Sequence, residues 1–114
     1  MSENCTAAGC KLTVPSGLET EGLCLLHYTL LLEQNCAKMR RETATGFSSR
    51  ERLDEIIRYI TDGGERLARV ATSGIHLTDE IKARVLSTFL TLMNFRENLD
   101  RTAQRQSPAR TFGS

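Results

Sequence analysis

The feature that most constrains this chain is the placement of four soft donors within its first 27 residues: Cys5, Cys10, Cys24 and His27, spaced C-x4-C-x13-C-x2-H. Zinc takes four tetrahedral nitrogen and sulfur donors, and two local pairs let two short segments close the shell. Gly9, just before Cys10, suits the tight turn that bends a backbone around a metal. Gly22 lets the chain turn into a helix that begins near Cys24, where Cys24 and His27, three residues apart, share one face. Backbone N–H groups of such a first turn also favour thiolate sulfur. The spacing therefore predicts one structural Zn2+ per chain, held by Cys5, Cys10, Cys24 and His27. Catalytic zinc keeps a position open for water; four donors so close together, with no carboxylate placed as a base, predict a closed site. Such a metal supplies folding energy to a segment too small to hold itself.

Two disulfides, or simply buried thiols, are the competing readings of the four cysteines. The amino terminus, Met-Ser-Glu-Asn-Cys, is polar and shows no basic-then-apolar leader. The longest apolar cluster, Leu23 to Leu32, is interrupted by His27, Tyr28 and Thr29 and falls far short of the roughly 20 residues a membrane span needs. A cytoplasmic address is expected, and reducing surroundings favour metal over disulfide. Cys36 is the remaining cysteine. It could replace His27 as fourth ligand only by reaching nine residues along the helix, about 13 Å at the usual rise, and is read as a core thiol.

The fold class expected is mainly α, with a small N-terminal zinc module over residues 1–28. Within that module Leu12-Thr13-Val14 and Leu18-Glu19-Thr20 are predicted to pair as a short β-hairpin across Pro15-Ser16-Gly17. Residues 29–103 continue it as a helical hairpin or three-helix bundle, and residues 104–114 lack periodicity and read as a disordered tail. The first helix spans about Cys24 to Glu42, with Leu25, Tyr28, Leu32, Cys36 and Met39 at three- and four-residue steps. A second starts at Ser48, with Glu51 completing a capping box and Phe47 placed as a hydrophobic staple. Its apolar set is Leu53, Ile56, Ile57, Ile60, Leu67, Val70 and Ala71, in phase across Gly63-Gly64, so it reads as one helix with a weak centre or two halves meeting there. Two interior glycines cost roughly 2 kcal/mol relative to alanine. Thr78 caps a third helix running to about Ala103, whose apolar residues Ile81, Val85, Leu86, Phe89, Leu90, Leu92, Met93, Phe95 and Leu99 form a face wider than a single seam. That face, residues 81–99, predicts either two helix neighbours or a partner, with a homodimer as one outcome. Asp54/Arg58, Glu65/Arg69, Glu80/Arg84 and Glu97/Arg101 stand acid-before-base at i,i+4 on the solvated faces.

Cys5-Thr6-Ala7-Ala8-Gly9-Cys10, followed by Gly22-Leu23-Cys24-Leu25-Leu26-His27-Tyr28, resembles the treble-clef-like C-x4-C…G-L-C-x-x-H-Y zinc fingers that accompany phage and bacterial HNH-type endonucleases and small DNA-associated proteins. The resemblance covers residues 5–28 and implies a bacterial-type zinc finger with the same four ligands. It departs from those fingers after the His-Tyr pair, where Thr29-Leu30-Leu31-Leu32 stands in place of arginine-rich residues, and His76 is the sole other histidine, too little for an HNH catalytic segment.

Charge separates the function classes. Residues 1–36 carry Lys11 against Glu3, Glu19, Glu21 and Glu33, a net −3, and three thiolates on Zn2+ add to the negative sign, so the finger would repel phosphates. Basic spots at Lys38/Arg40/Arg41, Arg50/Arg52 and Arg101/Arg105/Arg110 are diluted by acids, and the net charge of the chain is only +1. His76 lacks partners for catalysis, and Gly63-Gly64 has neither the strand before it nor the Lys-Ser/Thr after it of a phosphate loop. The chain is expected to be a small non-enzymatic structural-zinc protein acting as a protein-interaction or regulatory module, with a DNA-binding accessory or transcriptional regulator as the alternative and no membrane role.

Overall fold

The computed structural model describes residues 4–46 and 48–105. Three helices pack on one another: α1 (Leu25–Ala44), α2 (Arg50–Ala71) and α3 (Asp79–Arg105). Phe47 and residues 106–114, and with them the expected staple and most of the expected tail, lie outside the described residues. No described helix is long and apolar enough to cross a membrane.

The predicted apolar stripes are the ones that pack, except that Leu86 and Leu90 of α3 stay exposed. Leu25, Tyr28, Leu32 and Cys36 of α1 are buried, as are Leu53, Ile56, Ile60, Leu67 and Val70 of α2 and Val85, Leu92, Phe95 and Leu99 of α3. Thr29 joins them because its Oγ1 donates to Leu25 O at 2.7 Å, which satisfies the hydroxyl inside its own helix. The connections are short, so α2 runs against α1 and α3. Arg50 at the start of α2 reaches Ala103 O at the end of α3, and Arg84 early in α3 pairs with Glu33 near the middle of α1.

α2 is one continuous helix through Gly63-Gly64, and both glycines are buried. A Cβ on Gly63 would stand 2.7 Å from Leu32 Cδ2 on α1, and one on Gly64 would stand 2.8 Å from Met93 Cε on α3. The pair is thus the level at which α2 lets both neighbours approach closely, which offsets the intrinsic weakness of glycine in a helix.

Three sequence expectations need correction. The β-hairpin does not form: among the described residues there is no strand, only an isolated antiparallel bridge between Asn4 and Thr13. Residues 15–22 coil instead into consecutive turns, with Leu18 N bonding to Pro15 O and Glu21 N and Gly22 N both bonding to Leu18 O. The turns win because they drop Leu18 into the core at 0% exposure and bring Gly17 against Val70 of α2, whereas a two-stranded ribbon in this position buries little. The cap of α2 is Ser49, not Ser48: its Oγ accepts from Arg52 N at 3.1 Å, so Glu51 falls short of the capping-box position and supplies only first-turn negative charge. Of the expected i,i+4 pairs, Glu97–Arg101 forms at 2.8 Å, but Arg84 turns to Glu33 on α1, with contacts of 2.6 and 3.0 Å, and Asp54 meets Arg50 instead of Arg58. A bidentate carboxylate across a helix–helix seam is a better partner for guanidinium than a single contact along one helix.

The two glycines are expected to respond oppositely to alanine. Leu32 is fully buried and cannot yield, so Gly63→Ala should lose on the order of 1 kcal/mol after the helix-propensity gain is subtracted from overpacking. Met93 is half-buried and flexible, so Gly64→Ala should be neutral or gain up to about 1 kcal/mol. Urea unfolding midpoints at unchanged slope read both, and equal losses at the two positions would contradict the packing described.

Candidate metal centre

The centre is assembled from two backbone segments that approach each other without a sheet. Cys5 and Cys10 sit on a short loop closed by Cys5 N to Leu12 O at 2.8 Å and Cys10 N to Ala7 O at 3.1 Å. Gly9 makes its turn at φ +78°, a conformation side-chain-bearing residues seldom adopt. The second segment is held to the first by Thr6 N donating to Gly22 O at 2.9 Å. Gly22 takes φ +65°, and a Cβ there would press on Thr6 Cγ2 at 3.3 Å, so glycine serves both the turn and the close approach.

Cys24 is the N-cap of α1. Its extended backbone (φ −71°, ψ 169°) precedes the first helical residue, and its Sγ accepts from His27 N at 3.5 Å, the place a serine or aspartate oxygen usually fills. One turn on, the His27 ring folds back so that Nδ1 lies 3.3 Å from Cys24 Sγ and 3.4 Å from Cys5 Sγ. Cys10 Sγ is 3.9 Å from Cys24 Sγ. The four ligand atoms all lie within 4.8 Å of one another, so the structure brings together all four residues singled out by the sequence, as a cluster that could hold a metal ion. Cys5 and Cys24 are buried, while Cys10 and His27 are half-buried and close the outer side.

The thiols do not ionise alike. Burial raises Cys5, but the backbone N–H groups of Cys24 and Ala7 and the thiols of Cys10 and Cys24 outweigh it, and its pKa is lowered to about 7. Cys24 moves to about 11: burial raises it most, the His27 N–H opposes, and the adjacent Cys5 and Cys10 sulfurs raise it further. One thiolate close to neutral pH thus makes the next harder to form, the usual behaviour of like charges sharing a site. A cation among them removes that conflict, because metal coordination deprotonates thiols outright. The donor set therefore fits a metal.

All four cysteines are free thiols. Cys36 is 1% exposed in the helix core, outside the cluster, and burial raises its pKa. His76 is exposed in the α2–α3 connection and lines a cavity of about 320 Å³ beside Cys24 without joining the four donors. What sequence reasoning missed is how the loop docks: Glu21 pairs with Arg66 of α2 at 3.0 Å, and Leu18 is buried in the helical core. No local pattern signals a partner forty-five residues away.

No family model, curated protein or solved structure matches this chain. The likeness to C-x4-C…G-L-C-x-x-H-Y fingers rests on residues 5–28 alone.

The four cysteines are expected to separate cleanly by substitution. Cys24→Ala deletes a donor and the α1 cap together and should abolish metal retention, whereas Cys36→Ala should keep full metal stoichiometry with only a modest packing loss. Metal content of the purified variants under reducing conditions is the readout. Metal lost from Cys36→Ala would place that thiol in the ligand set.

Proposed function

We propose that this chain is a structural-zinc protein that works as a non-enzymatic interaction or regulatory module. The observation that carries the reading is the convergence of three thiols and one imidazole. Tetrahedral zinc with Zn–S near 2.3 Å and Zn–N near 2.0–2.1 Å sets S···S edges at about 3.8 Å and S···N edges at about 3.5 Å. Three of the six edges, at 3.9, 3.4 and 3.3 Å, lie close to that outline, and all six fall within 4.8 Å. Cys5, Cys10, Cys24 and His27 would hold the ion, and what it supplies is folding energy and charge neutralisation. With four protein donors no position is left for water, which supports a closed site.

The treble-clef-like reading is kept for the two ends of the module, a ligand loop carrying Cys5 and Cys10 and a helix whose first turn carries Cys24 and His27. Consecutive turns stand where such fingers place their hairpin.

Support for interaction over DNA binding comes from where the arginines go. Arg52, Arg66, Arg84 and Arg101 are each engaged by a carboxylate, Glu42, Glu21, Glu33 and Glu97 respectively, so at these four positions phosphate would have to displace a bound carboxylate.

Elemental analysis and melting of the untagged full chain under reducing conditions test the zinc reading. One zinc per chain is expected, with a melting temperature that falls by at least about 5 °C on chelation. A metal-free preparation whose melting point ignores the chelator would defeat it. Nanomolar binding to duplex DNA with a steep salt slope would instead establish the DNA-binding alternative; no binding at about 50 mM salt is expected.

A further inference from the structure

α3 buries one stripe against α1 and α2 and leaves a second one open. Val85, Thr88, Leu92, Phe95 and Leu99 face the core, while Leu86 is 60% and Leu90 53% exposed and Phe89 and Met93 are half-buried beside them. Sequence spacing extends this second stripe at steps of three and four from Lys82 through Leu86, Phe89, Met93 and Arg96 to Asp100. A groove of about 310 Å³ adjoins its N-terminal half, between α2 and α3, with Ala68, Ala71, Leu77, Val85 and Phe89 as walls and Lys82 at its rim.

Two properties of the stripe identify what covers it. Its ends carry opposite charge, Lys82 near the start of α3 and Asp100 near its finish, and neither makes an ion pair among the described residues. Its middle is apolar and its length fits a helix of the same kind. Antiparallel seam pairing places each position opposite one whose number sums with it to a constant, and only a dyad close to Thr91 sets the oppositely charged ends against each other. In that register Lys82 faces Asp100 of the partner subunit and Phe89 faces Met93 of the partner subunit. Leu90 comes nearest to Leu90 of the partner subunit. The α3 of the partner subunit passes over the groove at the level of Met93 and Arg96 of the partner subunit, covering it.

We propose that the Lys82–Asp100 stripe of α3, with the groove beside it, is a homodimer interface in which a second copy of this chain packs its own α3 antiparallel about a dyad near Thr91. The inference rests on the reading of the chain as an interaction module and names one partner for it. It makes no use of the metal, so the two fail separately.

Sedimentation equilibrium of the untagged, metal-analysed full chain decides it. The wild type is expected to sediment at twice the chain mass. Leu86→Glu with Leu90→Glu, both at exposed positions, is expected to give a monomer with unchanged helicity, melting and metal content. Lys82→Glu alone and Asp100→Lys alone are each expected to raise the dissociation constant about tenfold by setting like charges together, and the double variant to return it close to the wild-type value. A wild type that stays monomeric at all accessible concentrations overturns the proposal and leaves the face to a different protein. A dimer that survives the double glutamate variant overturns the assigned surface, and charge reversals that are not rescued in combination overturn the antiparallel register. Zinc found in a monomeric wild type would leave the metal reading standing, and a metal-free dimer the reverse.

Discussion

The amino-terminal quarter is organised around three sulfurs and a ring nitrogen sharing a space less than 5 Å across. Thiols so close cannot all ionise on their own: burial raises Cys24 most and the neighbouring sulfurs raise it further, while at Cys5 burial is outweighed by backbone N–H groups and the other thiols. The backbone around them offers little independent order. Among the described residues it has one isolated bridge and a handful of turn hydrogen bonds between residues 4 and 24. A cation at the cluster would convert mutual repulsion into the principal cohesion of the loop.

The cluster is not an appendage, because Cys24 belongs to it and to α1 at once. The same sulfur that lies against His27 Nδ1 caps the helix, so the orientation of α1 is tied to that of the ligand loop. Further along α1, Leu32 packs into the space opened by Gly63, and Glu33 takes Arg84 and Thr88 of α3. At the other side of the loop, Leu18 enters the core and Glu21 holds Arg66. The loop is thereby fixed at two separate places, its ligands at the helix start and its turn against α2. One core runs from Val14 to Ala103.

The parts of this arrangement that were legible in the sequence are those governed by short-range chemistry. C-x4-C and C-x2-H spacings report geometry directly, since ligands so near in sequence have few ways to meet elsewhere. Helix periodicity marked the buried faces, and Thr78 as the α3 cap is seen in its acceptance of Ile81 N at 3.2 Å. The turns that replace the expected hairpin were not legible: Leu12-Thr13-Val14 and Leu18-Glu19-Thr20 have strand-like composition, but the advantage that decided their conformation, burying Leu18 in the helical core, comes from residues far along the chain. The choice of Ser49 over Ser48 turned on one residue of phase, and Arg84 chose Glu33 across a seam that local spacing cannot see. The wide face of α3 was partly core and partly open, and only the packed bundle separates Leu92 from Leu86 and Leu90.

X-ray absorption at the zinc edge, on protein purified without added metal, decides whether the four donors hold zinc. Three sulfur neighbours near 2.3 Å and one nitrogen near 2.0–2.1 Å are expected, with no room in the shell for a water oxygen. A first shell made of oxygen and nitrogen alone, or one with two sulfurs and a bound water, would contradict it.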